Sequence, residues 1–354
     1  MQLTYLGDTG LKVSALCLGA MTFGTDWGWG ADEAECRRML DLFADQGGNF
    51  VDTANAYTNG ESERMLGRFL QGRRDRFVVG TKYTISTDPS DPNASGNGRK
   101  TLTRALDASL RRFGTDYVDL YWVHMWDGFT PVEETARALD DAVRAGKVLH
   151  VGYSDHPAWL VARADALAEG RGLTRPAAIQ IEYSLAQREA ERELIPMAER
   201  LGMSVLDWSP LAGGALTGKY LTPGAQGRVA TGGVAHFERY AGEATRVVAQ
   251  AVVDAASELG CPASALAVAW LRAASPAHIP ILGARSAAQL ADTLKAATLD
   301  VPAAVFAHLD EVSRPALGFP HDFLRKGWIA WFQDAPTRLD PRVRSHGRKA
   351  LALA

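Results

Sequence analysis

The sequence predicts a (β/α)8 TIM barrel preceded by an N-terminal β-hairpin. Short apolar runs alternate with longer helix-like stretches, which is typical of strands that pair in parallel. No Gly-x-Gly-x-x-Gly motif follows an early strand, so a doubly wound dinucleotide-binding sheet is not predicted. The eight predicted strands lie near residues 15–19, 49–52, 77–81, 117–123, 148–152, 177–181, 204–208 and 278–282.

The N-terminal sequence predicts a β-hairpin, and a later stretch predicts an amphipathic helix. The segments 3–6 and 12–14 flank the turn-forming sequence Gly7-Asp-Thr-Gly10, which predicts a β-hairpin that plugs the barrel floor. The stretch 99–113 places its large apolar side chains on one helical face, as expected of a helix that packs against strands. Those side chains are Leu102, Leu106, Leu110 and Phe113.

Length and composition predict one folded domain. Barrels of this class are long for single domains, so we assign all 354 residues to one domain, 1–354. Hydrophobic residues make up 47% and charged residues 22% of the chain, which suits a large buried core. The end of the chain, 341–354, is a polar tail that we expect to be solvated and flexible.

Charge and cysteine content narrow the class of partner. The formal net charge is -3 and basic residues are scattered, which disfavours nucleic acid and membrane surfaces as partners and favours small molecules. Cys17, Cys36 and Cys261 lack metal-ligand spacing, so no metal site is predicted. The first ten residues do not resemble a secretion signal, and we expect a cytoplasmic protein. The oligomeric state, a homo-oligomer included, stays open.

Four polar residues stand at or just after the ends of predicted strands. They are Asp52, Tyr57, Lys82 and His124. In a parallel barrel the C-terminal strand ends open on one face, so these residues are expected to converge. Taken singly, each has an ordinary structural interpretation: a strand-end cap, a turn aromatic, a surface cation and a satisfied interior histidine. Together they indicate one active site.

The residue types predict acid catalysis on an oxygen atom. A phenol titrates near pH ~10, and lowering its pKa by roughly three units requires about 4 kcal/mol of differential stabilisation. An ammonium about 4 Å away at an effective dielectric of about 20 supplies roughly that amount, so we expect Lys82 to lower the pKa of Tyr57. Asp52 would keep Lys82 charged, and His124 would donate a hydrogen bond to the reacting oxygen. Carbonyl reduction needs such an acid once a hydride is delivered.

Several ordered segments resemble the signature blocks of the aldo-keto reductases, and most of the chain is covered. The strongest are Asp52-Thr-Ala-Asn-Ala-Tyr57, Gly80-Thr-Lys82 and Asp119-Leu-Tyr-Trp-Val-His124. Further blocks begin at Gly146, Ile179, Trp208 and Ile281. Within the family, the run from Gly28-Trp-Gly30 through Trp122-Val-His-Met-Trp-Asp127 to Gly318-Phe-Pro-His-Asp322 is most similar to the bacterial aryl-alcohol dehydrogenase-like branch.

The resemblance implies a bound nicotinamide cofactor. It places Ser154, Asp155 and Gln180 near the carboxamide and stacks Trp208 under the ring. Asp155 stands where the family pattern has Asn, and an ionised carboxylate accepts hydrogen bonds but cannot donate one to the carboxamide oxygen. An equally weighted alternative makes Asp155 the N-cap of a helix that begins near Pro157.

The resemblance also implies where the rest of the cofactor lies. Ser209, Leu211, Gly213 and Lys219 resemble the residues that follow the pyrophosphate. Gly283, Arg285 and Gln289 resemble the segment that holds the adenosine end, and charge-assisted bonds from Arg285 to a 2′-phosphate would favour NADP(H) over NAD(H). Without the surrounding motif, Arg285 would be interpreted as a surface arginine at the start of a helix.

Loop segments and aromatic residues complete the predicted upper face. The stretches 84–98 and 212–240 are predicted to be mobile loops, and the second either closes over the cofactor or is a plain insertion. Aromatic residues in loop-like sequence are equally consistent with an apolar substrate pocket and with the core. The pocket candidates are Trp27, Trp29, Tyr83 and Trp126, with Phe129, Phe319 and Phe323 as further members.

The predicted function is NADP(H)-dependent reduction of aldehydes and ketones, and the reverse alcohol oxidation, on aryl or bulky apolar substrates. Two alternatives keep the fold: a nucleotide-deoxysugar ketoreductase, and a nicotinamide-sensing regulatory subunit with little turnover. A further alternative is an aldolase that uses Lys82 as a Schiff base. Hydride transfer is favoured because it gives Tyr57 and His124 roles.

Overall fold

Eight parallel strands close into a barrel, as predicted, and a two-stranded antiparallel hairpin precedes them. The computed structural model describes residues 1–222 and 235–324. The hairpin strands are β1 (Leu3–Tyr5) and β2 (Lys12–Ser14). The barrel strands are β3 (Cys17–Gly19), β4 (Phe50–Asp52), β5 (Val78–Tyr83), β6 (Val118–Val123), β7 (Val148–Ser154), β8 (Pro176–Glu182), β9 (Ser204–Trp208) and β10 (His278–Leu282). Strand β10 pairs with β3 and completes the ring.

Helices follow the strands, and their apolar faces cover the outside of the barrel. They are α1 (Glu33–Asp45), α2 (Glu61–Leu70), α3 (Arg99–Phe113), α4 (Val132–Arg144), α5 (Ala158–Arg171), α6 (Leu194–Arg200), α7 (Glu243–Leu259), α8 (Ala263–Ala274), α9 (Ala287–Leu294) and α10 (Ala303–Ser313). The predicted stripe of α3 is confirmed, since all four of its large apolar side chains are buried.

The hairpin closes the N-terminal end of the barrel. Its Leu6 and Val13 side chains are fully buried among the apolar residues that point inward from the strands. The backbone N–H of Gly7 donates to Ser204 Oγ at 2.8 Å, at the start of β9. The predicted plug is therefore present, and the C-terminal end is the end left for chemistry.

The period-2 alternation of β5 decides which of its residues face the barrel axis. Val78 packs in the interior cluster, whereas Val79 and Tyr83 pack in the layer between strands and helices. Lys82 therefore points inward, where its ammonium meets groups from β4. A lysine inside a barrel needs such partners, because an isolated buried charge is very costly.

The chain groups into two compact units, Met1–Ser313 and Arg314–Ala354. In the second unit, the described part contains one helical turn, His321–Phe323, and the N–H of Gly318 donates to Asp322. The predicted tail, 341–354, lies outside the described residues, and one domain over 1–354 stays a prediction. No single described helix is long and apolar enough to cross a membrane; α7 and α8 pass that test only together, across a 100° bend.

The two predicted loops differ in content. Residues 84–98 contain neither helix nor strand, and the N–H of Asn97 donates to Asp127 in the loop after β6. The second segment contains short 3-10 turns at Ala212–Thr217, Lys219–Leu221 and Ala235–Ala241. Its middle, 223–234, lies outside the described residues, so closure over a cofactor stays a prediction.

Helix α2 lies against the C-terminal end of α3 at Gly67, which gives a matched test of packing. A Cβ at Gly67 would lie 2.6 Å from the carbonyl oxygen of Arg112 and 2.7 Å from that of Phe113. We expect Gly67→Ala to lower the free energy of unfolding by about 1–3 kcal/mol, measured by urea denaturation. Gly170 in α5 has nothing within 4 Å of its Cβ position, so Gly170→Ala should raise that free energy by about 0.5–1 kcal/mol. Equal changes in the free energy of unfolding for Gly67→Ala and Gly170→Ala would contradict the close packing of α2 on α3.

Candidate active site

Three of the four predicted polar residues join at the C-terminal ends of β4 and β5. The ammonium of Lys82 donates to Asp52 Oδ2, to the carbonyl oxygen of Thr53 at 2.9 Å and to Tyr57 Oη at 3.3 Å. Asp52 ends β4 and Lys82 lies one residue before the end of β5. Both side chains are almost fully buried. The buried cation therefore has three acceptors, one of them the phenol oxygen.

Tyr57 is held in place by a strained turn. It begins a 3-10 turn whose next two residues, Thr58 and Asn59, have φ values of 45° and 56°. Thr58 is fully buried, and its hydroxyl donates to the carbonyl oxygen of Phe23 at 2.7 Å. Left-handed backbone at a Thr costs energy and persists where surrounding contacts enforce it. The turn thus fixes the phenol over Lys82.

His124 completes the group from the next strand. It follows β6 directly, and its ring meets the Tyr57 ring edge-on, with centroids 5.8 Å apart. Burial, and then the nearby Lys82 charge, hold the pKa of His124 well below its usual value, so the imidazole is neutral. Nδ1 has no hydrogen-bond partner among the described residues. A neutral imidazole carries one N–H donor, as expected for a group that polarises an oxygen.

The acidity of the phenol differs from the sequence-based expectation. Burial raises the pKa of Tyr57, and the Lys82 charge opposes that rise without overcoming it. For Lys82, burial disfavours the charged form, but the charges of Asp52 and Tyr57 outweigh it and raise its pKa. Lys82 thus lowers the phenol pKa as expected, but burial outweighs it, and the expectation of a pKa below the ordinary value is wrong. Tyr57 is a protonated phenol beside a firmly charged ammonium.

This arrangement suits proton donation to a strongly basic oxygen. An alkoxide forming from a carbonyl is a stronger base than a phenolate, so a phenol of raised pKa still protonates it. The ammonium at 3.3 Å then stabilises the phenolate that is left. The site can therefore act as a general acid, and as a base when the charge flow is reversed.

The residues expected near a nicotinamide carboxamide lie on adjacent strand ends. Ser154 ends β7, Gln180 lies within β8 and Trp208 ends β9. Gln180 is buried, and its Nε2 has no hydrogen-bond partner among the described residues. A buried amide donor at the cleft floor fits a ligand that presents an acceptor.

Asp155 bonds to Trp208 rather than to a helix. Asp155 Oδ1 accepts from Trp208 Nε1 at 3.0 Å, and the Asp155 backbone is left-handed, with a φ of 49°. The helix after it, α5, has Pro157 as its N-cap and no side-chain capping bond. The alternative that made Asp155 the helix cap is therefore wrong, and the carboxylate stays at the cleft.

The segment after β9 turns its backbone repeatedly into the left-handed region. Ser209, Ala212, Gly213 and Gly214 all have positive φ. Lys219 folds back onto this turn. Its Nζ lies 3.0 Å from the position that a Cβ on Gly214 would occupy. Leu211 packs partly against the core and anchors the segment. Left-handed turns with a nearby cation are typical of phosphate-binding backbone.

The predicted adenosine segment lies at the C-terminal end of β10. Gly283 and Arg285 are exposed, and Gln289 Oε1 accepts from the Arg285 N–H at 3.0 Å. Ser286 is the N-cap of α9, and its hydroxyl accepts from the Gln289 N–H. The Arg285 backbone is thus fixed just before a helix N-terminus, where anions are favoured.

Of the predicted pocket aromatics, Trp27, Trp29 and Trp126 are at least partly accessible, whereas Tyr83 is not. The Trp27 ring lies 6.2 Å from the Tyr57 ring, and Trp29 packs on Trp27 at 5.4 Å. Trp126 is 40% exposed. Trp27, with Trp29 packed on it, therefore lies beside the phenol of Tyr57.

The assignment of Tyr83 to the pocket is wrong. Its side chain is fully buried, stacks on Tyr121 at 5.3 Å, and donates to the carbonyl oxygen of Asn97. Because Lys82 points into the barrel, its neighbour in the strand must point outward. Tyr83 is therefore part of the core between strands and helices.

Sequence reasoning missed two groups at the upper face. Trp159, in the first turn of α5, is 58% exposed and meets the Trp126 ring edge-on at 5.9 Å. Glu182, which ends β8, accepts from Tyr240 and pairs with Arg239 of the turn before α7; burial raises the pKa of Glu182 to about 7. Glu182 could have been found from the sequence, because it is a polar residue that ends a strand inside a family block.

Comparison with known proteins agrees with this architecture. The family model described as "Aldo/keto reductase family" matches residues 15–314. A norsolorinic acid reductase of Aspergillus flavus is 37% identical, covering 90% of this chain and 82% of its own length. The uncharacterized oxidoreductase YrpG of Bacillus subtilis is 38% identical (88% and 96%), and an aryl-alcohol dehydrogenase [NADP(+)] of Phanerodontia chrysosporium is 32% identical (88% and 86%). The predicted resemblance is confirmed: this chain belongs to the aldo/keto reductase family.

Proposed function

We propose that this protein is an NADP(H)-dependent oxidoreductase that reduces aldehydes or ketones to alcohols and catalyses the reverse reaction. The observation that carries the proposal is the bond from Lys82 Nζ to Tyr57 Oη at 3.3 Å, with the His124 ring edge-on to the phenol. Reduction of a carbonyl group requires a proton donor and a hydrogen-bond donor for the same oxygen atom. Tyr57 is the candidate proton donor, and the neutral imidazole of His124 is the candidate hydrogen-bond donor.

The chain's own residues handle the proton. Bound NADPH would supply the hydride to the carbonyl carbon. The phenol of Tyr57 gives its proton to the carbonyl oxygen, while Lys82 stabilises the resulting phenolate and Asp52 keeps Lys82 charged. The neutral imidazole of His124 donates a hydrogen bond to the same oxygen and orients the carbonyl. In alcohol oxidation, Tyr57 takes the proton back.

The preference for the phosphorylated cofactor rests on Arg285. Its exposed guanidinium lies at the start of α9, and the cofactor contacts would continue through Lys219 and the left-handed turn after β9. An arginine binds a 2′-phosphate with charge-assisted bonds that a 2′-hydroxyl cannot match. An aryl-alcohol dehydrogenase among the relatives is described as using NADP(+).

The preference for aryl or bulky apolar substrates rests on the aromatic wall. Trp27 stands beside Tyr57, and Trp126 with Trp159 forms an accessible aromatic pair near the loop that carries Asp155. Exposed aromatic clusters are typical of binding sites. Two relatives are described by their names as aryl-alcohol dehydrogenases.

The raised pKa of Lys82 argues against the aldolase alternative. A Schiff-base lysine must be a free amine, whereas this ammonium is held by Asp52 and two oxygen acceptors. Substrate trapping by borohydride on Lys82 would reverse that choice. The sensor alternative predicts tight NADPH binding without turnover on a panel of carbonyl compounds and alcohols.

Replacing the acid tests the chemistry. We expect Tyr57→Phe to lower kcat for carbonyl reduction about 10²–10⁴-fold, because it removes the proton donor. NADPH affinity, measured by fluorescence titration, should change less than about threefold. Tyr117→Phe, at a half-buried tyrosine that bonds to Asp75 away from the site, is the matched control. Full activity in Tyr57→Phe would reject the assignment.

Replacing Arg285 tests the cofactor choice. We expect Arg285→Ala to weaken NADPH binding about 10–100-fold, the effect of losing a charge-assisted hydrogen bond. NADH binding should stay the same, because NADH carries no 2′-phosphate. Isothermal titration with both cofactors measures the difference, with Arg137→Ala in α4 as control. Equal losses for both cofactors would place Arg285 outside the discriminating contact.

A further inference from the structure

Trp122 fills the barrel interior directly below the catalytic group. It belongs to β6, is fully buried, and packs with the inward-facing residues. The strands on either side of it supply glycines. A Cβ on Gly152 would lie 2.4 Å from Trp122 Cζ3, and one on Gly80 would lie 3.0 Å from Trp122 Nε1. Backbone on both sides thus holds the indole in one orientation.

The orientation brings the indole N–H toward Asp52. The Cβ position of Gly80 is 3.0 Å from Asp52 Oδ1 as well as from Trp122 Nε1. These two atoms therefore face the same glycine. Both are buried, and neither has a hydrogen-bond partner within ordinary distance among the described residues. A buried donor beside a buried carboxylate oxygen is stabilised by pairing with it, because an unpaired buried polar atom is costly.

We propose that Trp122 is a positioning residue whose indole N–H holds Asp52 through Oδ1, so that Asp52 stays ionised and keeps Lys82 charged beside Tyr57. This inference rests on the proposed function. In this arrangement Asp52 Oδ2 accepts from the Lys82 ammonium, and Asp52 Oδ1 accepts from the Trp122 indole N–H.

Gln180 is the competing donor, since its Nε2 is also buried without a partner. Its amide lies at the end of a flexible side chain and can turn toward the cleft, where a cofactor acceptor is expected. The indole cannot turn, because Gly80 and Gly152 contact it. The rigid donor is therefore the one assigned to Asp52.

Loss of the indole N–H would change the charge beside Tyr57. Burial raises the pKa of Asp52, and Lys82, Gln180 and Trp122 oppose that rise. Without the Trp122 donor the Asp52 carboxylate takes a proton from the Lys82 ammonium more readily, and both members of the pair become neutral. The phenol of Tyr57 then lacks the adjacent cation and ionises at higher pH. The ionisable groups that face this cluster are Cys17, Asp52, Lys82, His124 and Asp155.

The test is the pH profile of Trp122→Phe, which keeps an aromatic ring and removes the N–H. For alcohol oxidation with NADP+, kcat rises as Tyr57 loses its proton. We expect the pH of half-maximal kcat to move upward by about 0.5–1 unit, with little change in KM for NADP+. Trp270→Phe is the matched control, because Trp270 is also fully buried with an unpartnered Nε1 but lies in the outer layer, stacked on Phe306. Its profile should not move.

A second readout needs no turnover. Ultraviolet titration of tyrosinate, taken as the difference from Tyr57→Phe, gives the phenol pKa directly and should show the same upward shift in Trp122→Phe. If Trp122→Phe does not fold, 3-benzothienylalanine at position 122 keeps the indole shape without the N–H. A shifted profile in the Trp270→Phe control, or an unshifted phenol pKa in the position-122 variants, overturns the inference. A wild type that lacks turnover, or a fully active Tyr57→Phe, overturns the proposed function instead.

Discussion

The site depends on a buried ammonium that must stay charged. Lys82 is 1% exposed and Asp52 is 2% exposed, so neither has water to solvate it. Breaking such a pair from one side costs about 3–5 kcal/mol, because the other charge is left uncompensated. The Lys82 ammonium is instead stabilised by three fixed acceptors: the Asp52 carboxylate, the Thr53 carbonyl oxygen and the Tyr57 phenol oxygen. The phenol is therefore both a catalytic candidate and part of the solvation of Lys82.

The same burial and the same charge set the protonation of the other two groups. Burial disfavours phenolate and imidazolium alike, and the Lys82 charge disfavours imidazolium further while favouring phenolate. At neutral pH the site thus contains a protonated phenol and a neutral imidazole. The phenol keeps its proton until an adjacent oxygen becomes more basic than phenolate. Proton loss is thereby tied to the charge that develops on the substrate.

The strands, and the residues that end them, were predictable because both follow from local sequence. Short apolar runs separated by helix-like stretches located all eight barrel strands, and Lys82 and Asp52 converge because parallel strands end on one face. Alternation applied to Lys82 would also have excluded Tyr83 from the pocket. The contact between Trp126 and Trp159, and that between Glu182 and Arg239, join residues far apart in sequence. Local pattern carries no information about such pairs.

The substitution of Asp for Asn at position 155 is compatible with a nicotinamide site once its surroundings are considered together. Trp208 Nε1 donates to Asp155 Oδ1, and Ser154 also interacts with this carboxylate, which would accept in addition from a carboxamide N–H. The donor that a carboxylate cannot supply is available from Gln180, whose buried Nε2 has no partner among the described residues. This division requires Gln180 to turn away from Asp52, whose pKa it lowers together with Trp122, and under our proposal the fixed indole of Trp122 would then satisfy Asp52 in its place. Under that proposal, Trp122 in β6 and Asp155 just after β7 would be connected through the single amide of Gln180.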